Sequence, residues 1–233
     1  MTDLLPDLVF SRAAVAANDV ALVGAGRQLS YGDLAAELHR FARAVLQAGM
    51  AAGDRIGVFL DKRPETVIAK FGAAAAGCTF VPINPLFRPR HVGHVLRDCD
   101  VRILVTSFDR FQIAAEALTD CPALELVVLV DGTGGAAEPP SGCRARVVAL
   151  SEFLSEGDGC PRPPHRRIDT DMTAIFYTSG STGMPKGVVL SHRNMVAGAR
   201  SVSSYLRNVR EDRLLAALPL SFDAGFSQLT TAF

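Results

Sequence analysis

Strand-like and helix-like runs alternate along the first 130 residues, and this alternation limits the possible folds more than any other feature of the chain. "LSYGDLAAELHRFARAVLQAG" places a helix start at Ser30, with Asp33 three residues on as its capping-box partner. Leu34, Leu38, Phe41 and Val45 follow at helical spacing, and Gly49 is placed to stop the helix. "DRIGVFL" (54–60) reads as a buried strand. Pro64 then opens the helical run "PETVIAKFGAAAAG", at a position where a first turn tolerates proline. A strand (78–83), a helix from Pro89 through Asp98, a strand (101–107), a helix from about Asp109 to Leu118 and a strand (124–130) continue the pattern. Repeats of this length predict an α/β fold of βαβ units, with mostly parallel sheets flanked by helices.

Composition shifts after residue 130. The stretches 131–147 and 155–167 are rich in Gly, Pro, Ser and charge and read as surface loops around "VVALSEFL". Two subdomains are expected, one over 1–167 and a second beginning at 168. The second opens with "DMTAIFYTS" (171–179), a strand, and "KGVVLSH" (186–192), another. Ser191 is placed to cap a helix running from His192 to about Leu206. A further strand is expected at the start of "DRLLAALPLSFDAGFSQLTTAF".

Totals bound the function classes. Lys+Arg and Asp+Glu both number 24, which is not the basic excess of a nucleic-acid or anionic-membrane binder. The five cysteines (78, 99, 121, 143 and 160) are odd in number and form no CxxC pair, so free thiols are expected rather than disulfides or a zinc site. No apolar stretch has the length of a membrane span, Asp3 and Asp7 interrupt any signal-like start, and a cytoplasmic location is expected.

The chemistry concentrates in "YTSGSTGMPKGVVLSH", Tyr177 to His192. Glycines let a backbone approach a ligand closely, successive N–H groups can converge on an anion, and hydroxyls and a lysine add donors and charge. The guest that suits such a loop is a polyphosphate. The common P-loop, GxxxxGK[ST] between a strand and a helix, does not fit. Lys186 stands between Pro185 and Gly187, no hydroxyl follows it, and the loop joins two strands.

This string resembles the phosphate-loop signature of the AMP-forming adenylating superfamily, which comprises acyl-CoA synthetases, carrier-protein-loading adenylation domains and luciferases. "AKFGAAAAGCTFVPINP" and "LPLSFDAGFSQLTTAF" are similar to further family segments, and the likeness covers nearly the whole chain. Within the superfamily the resemblance points to exosortase-associated ligases or, alternatively, to carrier-protein amino-acid ligases. The resemblance implies an ATP-dependent ligase that adenylates a carboxylic acid, with Mg²⁺, and passes the acyl group to the thiol of CoA or of a carrier protein's phosphopantetheine. It implies that Thr178, Ser179, Gly180, Ser181, Thr182 and Gly183 wrap the phosphates and that Lys186 neutralises phosphate charge. It places Phe222 and Asp223 beside the substrate, with Asp223 pairing to an α-ammonium if the substrate is an amino acid. Read from the residues alone, Asp223 equally fits a helix cap, and Phe222 fits plain core. His192 is expected to be structural.

The family's adenine motif, ribose-binding aspartate and small C-terminal domain with its lysine are not found in these 233 residues. The chain is therefore expected to be the front portion of such a ligase, inactive alone. A non-catalytic nucleotide-binding module is the alternative.

Overall fold

In the computed structural model of this chain, residues 4–132, 138–157, 167–178 and 183–233 are described. Cys160 and the loop residues Ser179, Gly180, Ser181 and Thr182 lie outside them. Cys78, Cys99, Cys121 and Cys143 are free thiols.

The chain opens with a helix α1 (Asp7–Ala16) and a hairpin, β1 (Val20–Gly24) and β2 (Arg27–Ser30). Neither element was expected from the sequence. Pro6 holds the N-cap position of α1 without a side-chain bond, and Val9 is its one buried residue. The hairpin turns through Ala25 and Gly26, both at positive φ. That is the geometry Asn-Gly usually marks, and Ala-Gly hides it.

From there the order follows the expected alternation: α2 (Tyr31–Gln47), β3 (Arg55–Phe59), α3 (Pro64–Ala76), β4 (Thr79–Pro82), α4 (Pro89–Asp98), β5 (Val101–Thr106), α5 (Phe108–Leu118) and β6 (Leu126–Leu129). Ser30 and Asp33 form the capping box that starts α2, and Gly49 takes a positive φ just past its end. β7 (Arg146–Ala149) and α6 (Leu150–Glu156) follow, then β8 (Met172–Thr178), β9 (Lys186–Ser191), α7 (His192–Leu206) and α8 (Asp223–Ala232).

Seven strands form one sheet in the order β7-β6-β5-β3-β4-β8-β9. Every pair is parallel except β8 with β9, which run antiparallel. Successive strand residues point to opposite faces. Ile56, Val58, Ile103, Val105, Leu126 and Val128 accordingly pack with α2 and α3, while Phe59, Leu104, Val127 and Leu129 pack with α4 and α5. A parallel sheet covered on both faces needs apolar residues at both parities, which is why these strands read as unbroken apolar runs.

One expected element is absent. The run "DRLLAALPL" forms no strand, and 207–222 is irregular. Pro219 withholds a ladder donor, and the segment pairs with no described strand of either sheet. Side chains hold its backbone instead. Lys62 Nζ donates to the carbonyls of Ala216 (2.5 Å) and Ala217 (2.8 Å), and the Leu218 N–H donates to Gln228 Oε1 at 3.0 Å.

Candidate functional site

The end of β8 organises the site. Its residues are buried from Thr173 to Tyr177, and Thr178 emerges into solvent. Across the hairpin Thr178 stands opposite Lys186 and Tyr177 opposite Gly187. The Thr178 hydroxyl lies 3.5 Å from the Lys186 carbonyl. Gly183 takes φ +94°, a conformation that strains other residues, with open space where a Cβ would sit. Pro185 is buried and Lys186 is exposed. Among the described residues the Lys186 ammonium has neither a hydrogen bond nor an ion pair. The turn joins two antiparallel strands, as the sequence indicated, and not a strand to a helix.

The next two residues back along β8 point to opposite faces. Phe176 meets Phe226 of α8 at 5.9 Å between ring centroids, and Phe80 of β4 lies 5.2 Å from the same ring. Tyr177 turns the other way, toward α4. Its hydroxyl donates to Asp98 Oδ2 at 2.5 Å. That spends the single phenolic hydrogen, so the Cys99 thiol donates to the Tyr177 oxygen at 3.2 Å. Burial, followed by the bond to Asp98, raises the Tyr177 phenol well above its ordinary range.

Phe222 and Asp223 head α8, whose Phe226 ties it to β8. Phe222 occupies the N-cap position and is 40% exposed, so it is not core. Asp223 is the first helical residue; its side chain makes no capping bond and is exposed. The cap reading of Asp223 is thereby excluded. The segment leading to this helix is held from α3. Lys70 is 1% exposed, donates to the Leu220 carbonyl at 2.5 Å, and lies 5.2 Å from the centre of the Phe226 ring. Burial lowers its pKa to about 7.

His192 is 1% exposed. Its Nδ1 accepts the Leu5 N–H at 3.1 Å, which requires a neutral ring with the proton on Nε2. Burial, with Arg167 nearby, lowers its pKa to about 4. The residue fastens the N-terminal segment to the start of α7 and presents no free nitrogen pair to a substrate. Ser191 and Asn194 form the capping box beside it.

Sequence reasoning passed over Lys70, His94, Asp98 and Cys99. Lys70 carried a legible signal, a single cation in the otherwise apolar run "TVIAKFGAAAA". The α4 residues carried none, because their roles depend on Tyr177 and Pro185, some 80 to 90 residues away.

The model of the family described as "AMP-binding enzyme" matches residues 9–233. The chain belongs to the AMP-binding enzyme family. Among curated members, this AMP-binding chain is 29% identical over 203 residues to the peroxisomal long chain acyl-CoA synthetase 7 of Arabidopsis thaliana, covering 85% of the chain and 29% of that protein. It is 25% identical over 205 residues to gramicidin S synthase 2 of Brevibacillus brevis, covering 88% of the chain and 4% of that protein. A crystal structure of a putative long-chain-fatty-acid CoA ligase from Rhodopseudomonas palustris superposes with a TM-score of 0.86 at 22% identity, over 100% of the chain and 56% of that structure. The chain thus spans less than a third of these curated relatives and a little over half of that structure. Among the described residues no helix is long and apolar enough to cross a membrane.

Proposed function

We propose that this chain is the N-terminal part of an ATP-dependent, AMP-forming acid–thiol ligase, which adenylates a carboxylic acid and transfers the acyl group to CoA or to a pantetheine thiol. The observation that carries the reading is the end of the β8–β9 hairpin. There an exposed hydroxyl ends β8, a glycine at positive φ stands in the turn and an unpaired lysine starts β9, in a chain of the AMP-binding family. These groups fit a phosphate guest: Thr178 donates a hydrogen bond, Gly183 permits close backbone approach, and Lys186 supplies charge. Ser179, Gly180, Ser181 and Thr182 belong to the same proposed loop. Among the described residues no three His, Cys, Asp or Glu side chains come together, so no Mg²⁺ ligand is assigned here. ATP, when bound, would supply the adenylyl group that activates the carboxylate, with pyrophosphate as the leaving group.

An amino acid as the substrate is a second reading. It is favoured by Asp223, an exposed carboxylate without a hydrogen bond or ion pair among the described residues. A carrier protein would then be the acyl acceptor.

The test is carboxylate-dependent exchange of labelled pyrophosphate into ATP by the complete gene product, across a panel of simple carboxylic acids and amino acids. Acid-dependent exchange is expected, with a loss of roughly 10²-fold in Lys186→Ala, the scale of removing one charge-stabilising donor. Hydrolysis of ATP to ADP without exchange, or exchange indifferent to Lys186→Ala, overturns the proposal. Asp223→Asn should depress exchange with amino acids alone; equal effects on all acids sink the second reading.

A further inference from the structure

We propose that His94 is a positioning residue for Lys186, acting through the Pro185 carbonyl. This inference rests on the phosphate-loop reading. Parity along β8 sends Tyr177 to the face covered by α4. There His94 Nε2 lies 2.9 Å from the Pro185 carbonyl. A carbonyl only accepts, so the ring carries its proton on Nε2 and donates. The same ring stands edge-on to Tyr177, with centroids 6.1 Å apart and planes at 86°. Asp98 lies four residues further along α4, hence on the same helix face. It accepts the hydrogen bond of the Tyr177 hydroxyl, and Cys99 donates to the same oxygen.

One helix face therefore holds the chain on both sides of the turn, Tyr177 before it and Pro185 after it. Gly187 packs closely against β8. A Cβ there would sit 2.8 Å from Ile175 Cγ2 and 3.4 Å from the Tyr177 ring. The close approach is to Ile175, and a Cβ at 187 would meet the Tyr177 ring only at van der Waals contact.

The consequence falls on the next residue. Proline fixes its own φ, and the bond from His94 fixes the carbonyl of the peptide joining Pro185 to Lys186. A peptide unit is planar, so the direction in which the Lys186 backbone departs is set as well. The lysine side chain stays exposed and unpaired. The result is a mobile charge with a fixed origin, which lowers the ordering needed when an anion arrives. Such a role is distinct from satisfying one buried carbonyl, because it predicts an effect on anion affinity.

Hydrogen–deuterium exchange and calorimetric binding of ATP and of inorganic pyrophosphate test this, on the complete gene product and its His94→Leu and His94→Gln variants. Expected in His94→Leu is exchange faster by roughly tenfold at Lys186 to Val188, the scale of one net hydrogen bond, with strands β3 and β5 unchanged. Anion affinity should fall by a similar factor. His94→Gln, which keeps an N–H donor, should restore both. Faster exchange throughout the chain, or none at the hairpin, overturns the proposal. So does a local exchange change with unaltered affinity. A wild-type chain that binds neither anion overturns the phosphate reading, and the positioning role with it.

Discussion

Methionine in place of Lys70 keeps the length of the side chain and removes its amine. Lys70 is fully enclosed, and burial lowers its pKa from the ordinary 10.5 to about 7. At about 1.4 kcal/mol per pH unit, enclosing the charged form costs on the order of 5 kcal/mol. Below pH 7 the folded and unfolded chains both carry the proton, and this cost is fully present. Between pH 7 and 10.5 the unfolded chain holds a proton that the folded chain has lost, so this group makes stability rise with pH. Above 10.5 its effect is gone. Lys70→Met abolishes the dependence and leaves the Leu220 carbonyl without its donor, a pH-independent cost of about 1–3 kcal/mol. The stability of Lys70→Met relative to wild type should therefore be highest below pH 7 and decline by several kcal/mol toward pH 10. Urea unfolding at pH 6, 8 and 10 measures it, and the difference between the two proteins cancels the tyrosines and cysteines that titrate in the same range. A difference independent of pH would refute the argument, since Lys70 would then keep an ordinary, compensated charge.

His192 supplies the acid-side counterpart. Its pKa is lowered from 6.5 to about 4, so the stability it contributes is complete above pH 6.5 and is lost as pH falls toward 4. His192→Gln, which cannot protonate, should flatten that limb of a stability–pH curve by about 2–3 kcal/mol; an unchanged limb counts against the neutral-ring assignment. Gly187→Ala should lower stability by about 1–3 kcal/mol through the contact with Ile175 Cγ2, and Ile175→Ala in the same chain should remove that added cost in a double-mutant cycle. Strict additivity of the two changes would locate the strain elsewhere.

The sheet was legible because its strands are bare apolar runs between helices with explicit start and stop signals: Ser30 with Asp33, Pro64, Pro89, Ser191. The segment ahead of α8 misled for the same reason. Leu214, Leu215 and Leu218 look like strand residues, yet all three are exposed, and whether an apolar run becomes a strand depends on a partner edge that no local pattern reveals. Composition alone marked out the loop between Tyr177 and Lys186. What could not be read was its support. His94 and Asp98 act on a backbone carbonyl and on a phenol far along the chain, and such contacts follow from topology and leave no trace in spacing.

The bond from Leu5 to His192 joins residues 187 positions apart, and β4 waits for β8 across almost half that interval. A ribosome adding 5–20 residues per second needs roughly 10–40 s to reach His192 after Leu5. For that time the N-terminal segment has emerged with its anchor unmade, and for part of it the edge of β4 that receives β8 stands open. The β8–β9 pair is thus made after the five strands β3 to β7 and adds to the edge that β4 leaves open. Chaperone demand during synthesis should be set by this delay more than by the stability of the finished fold.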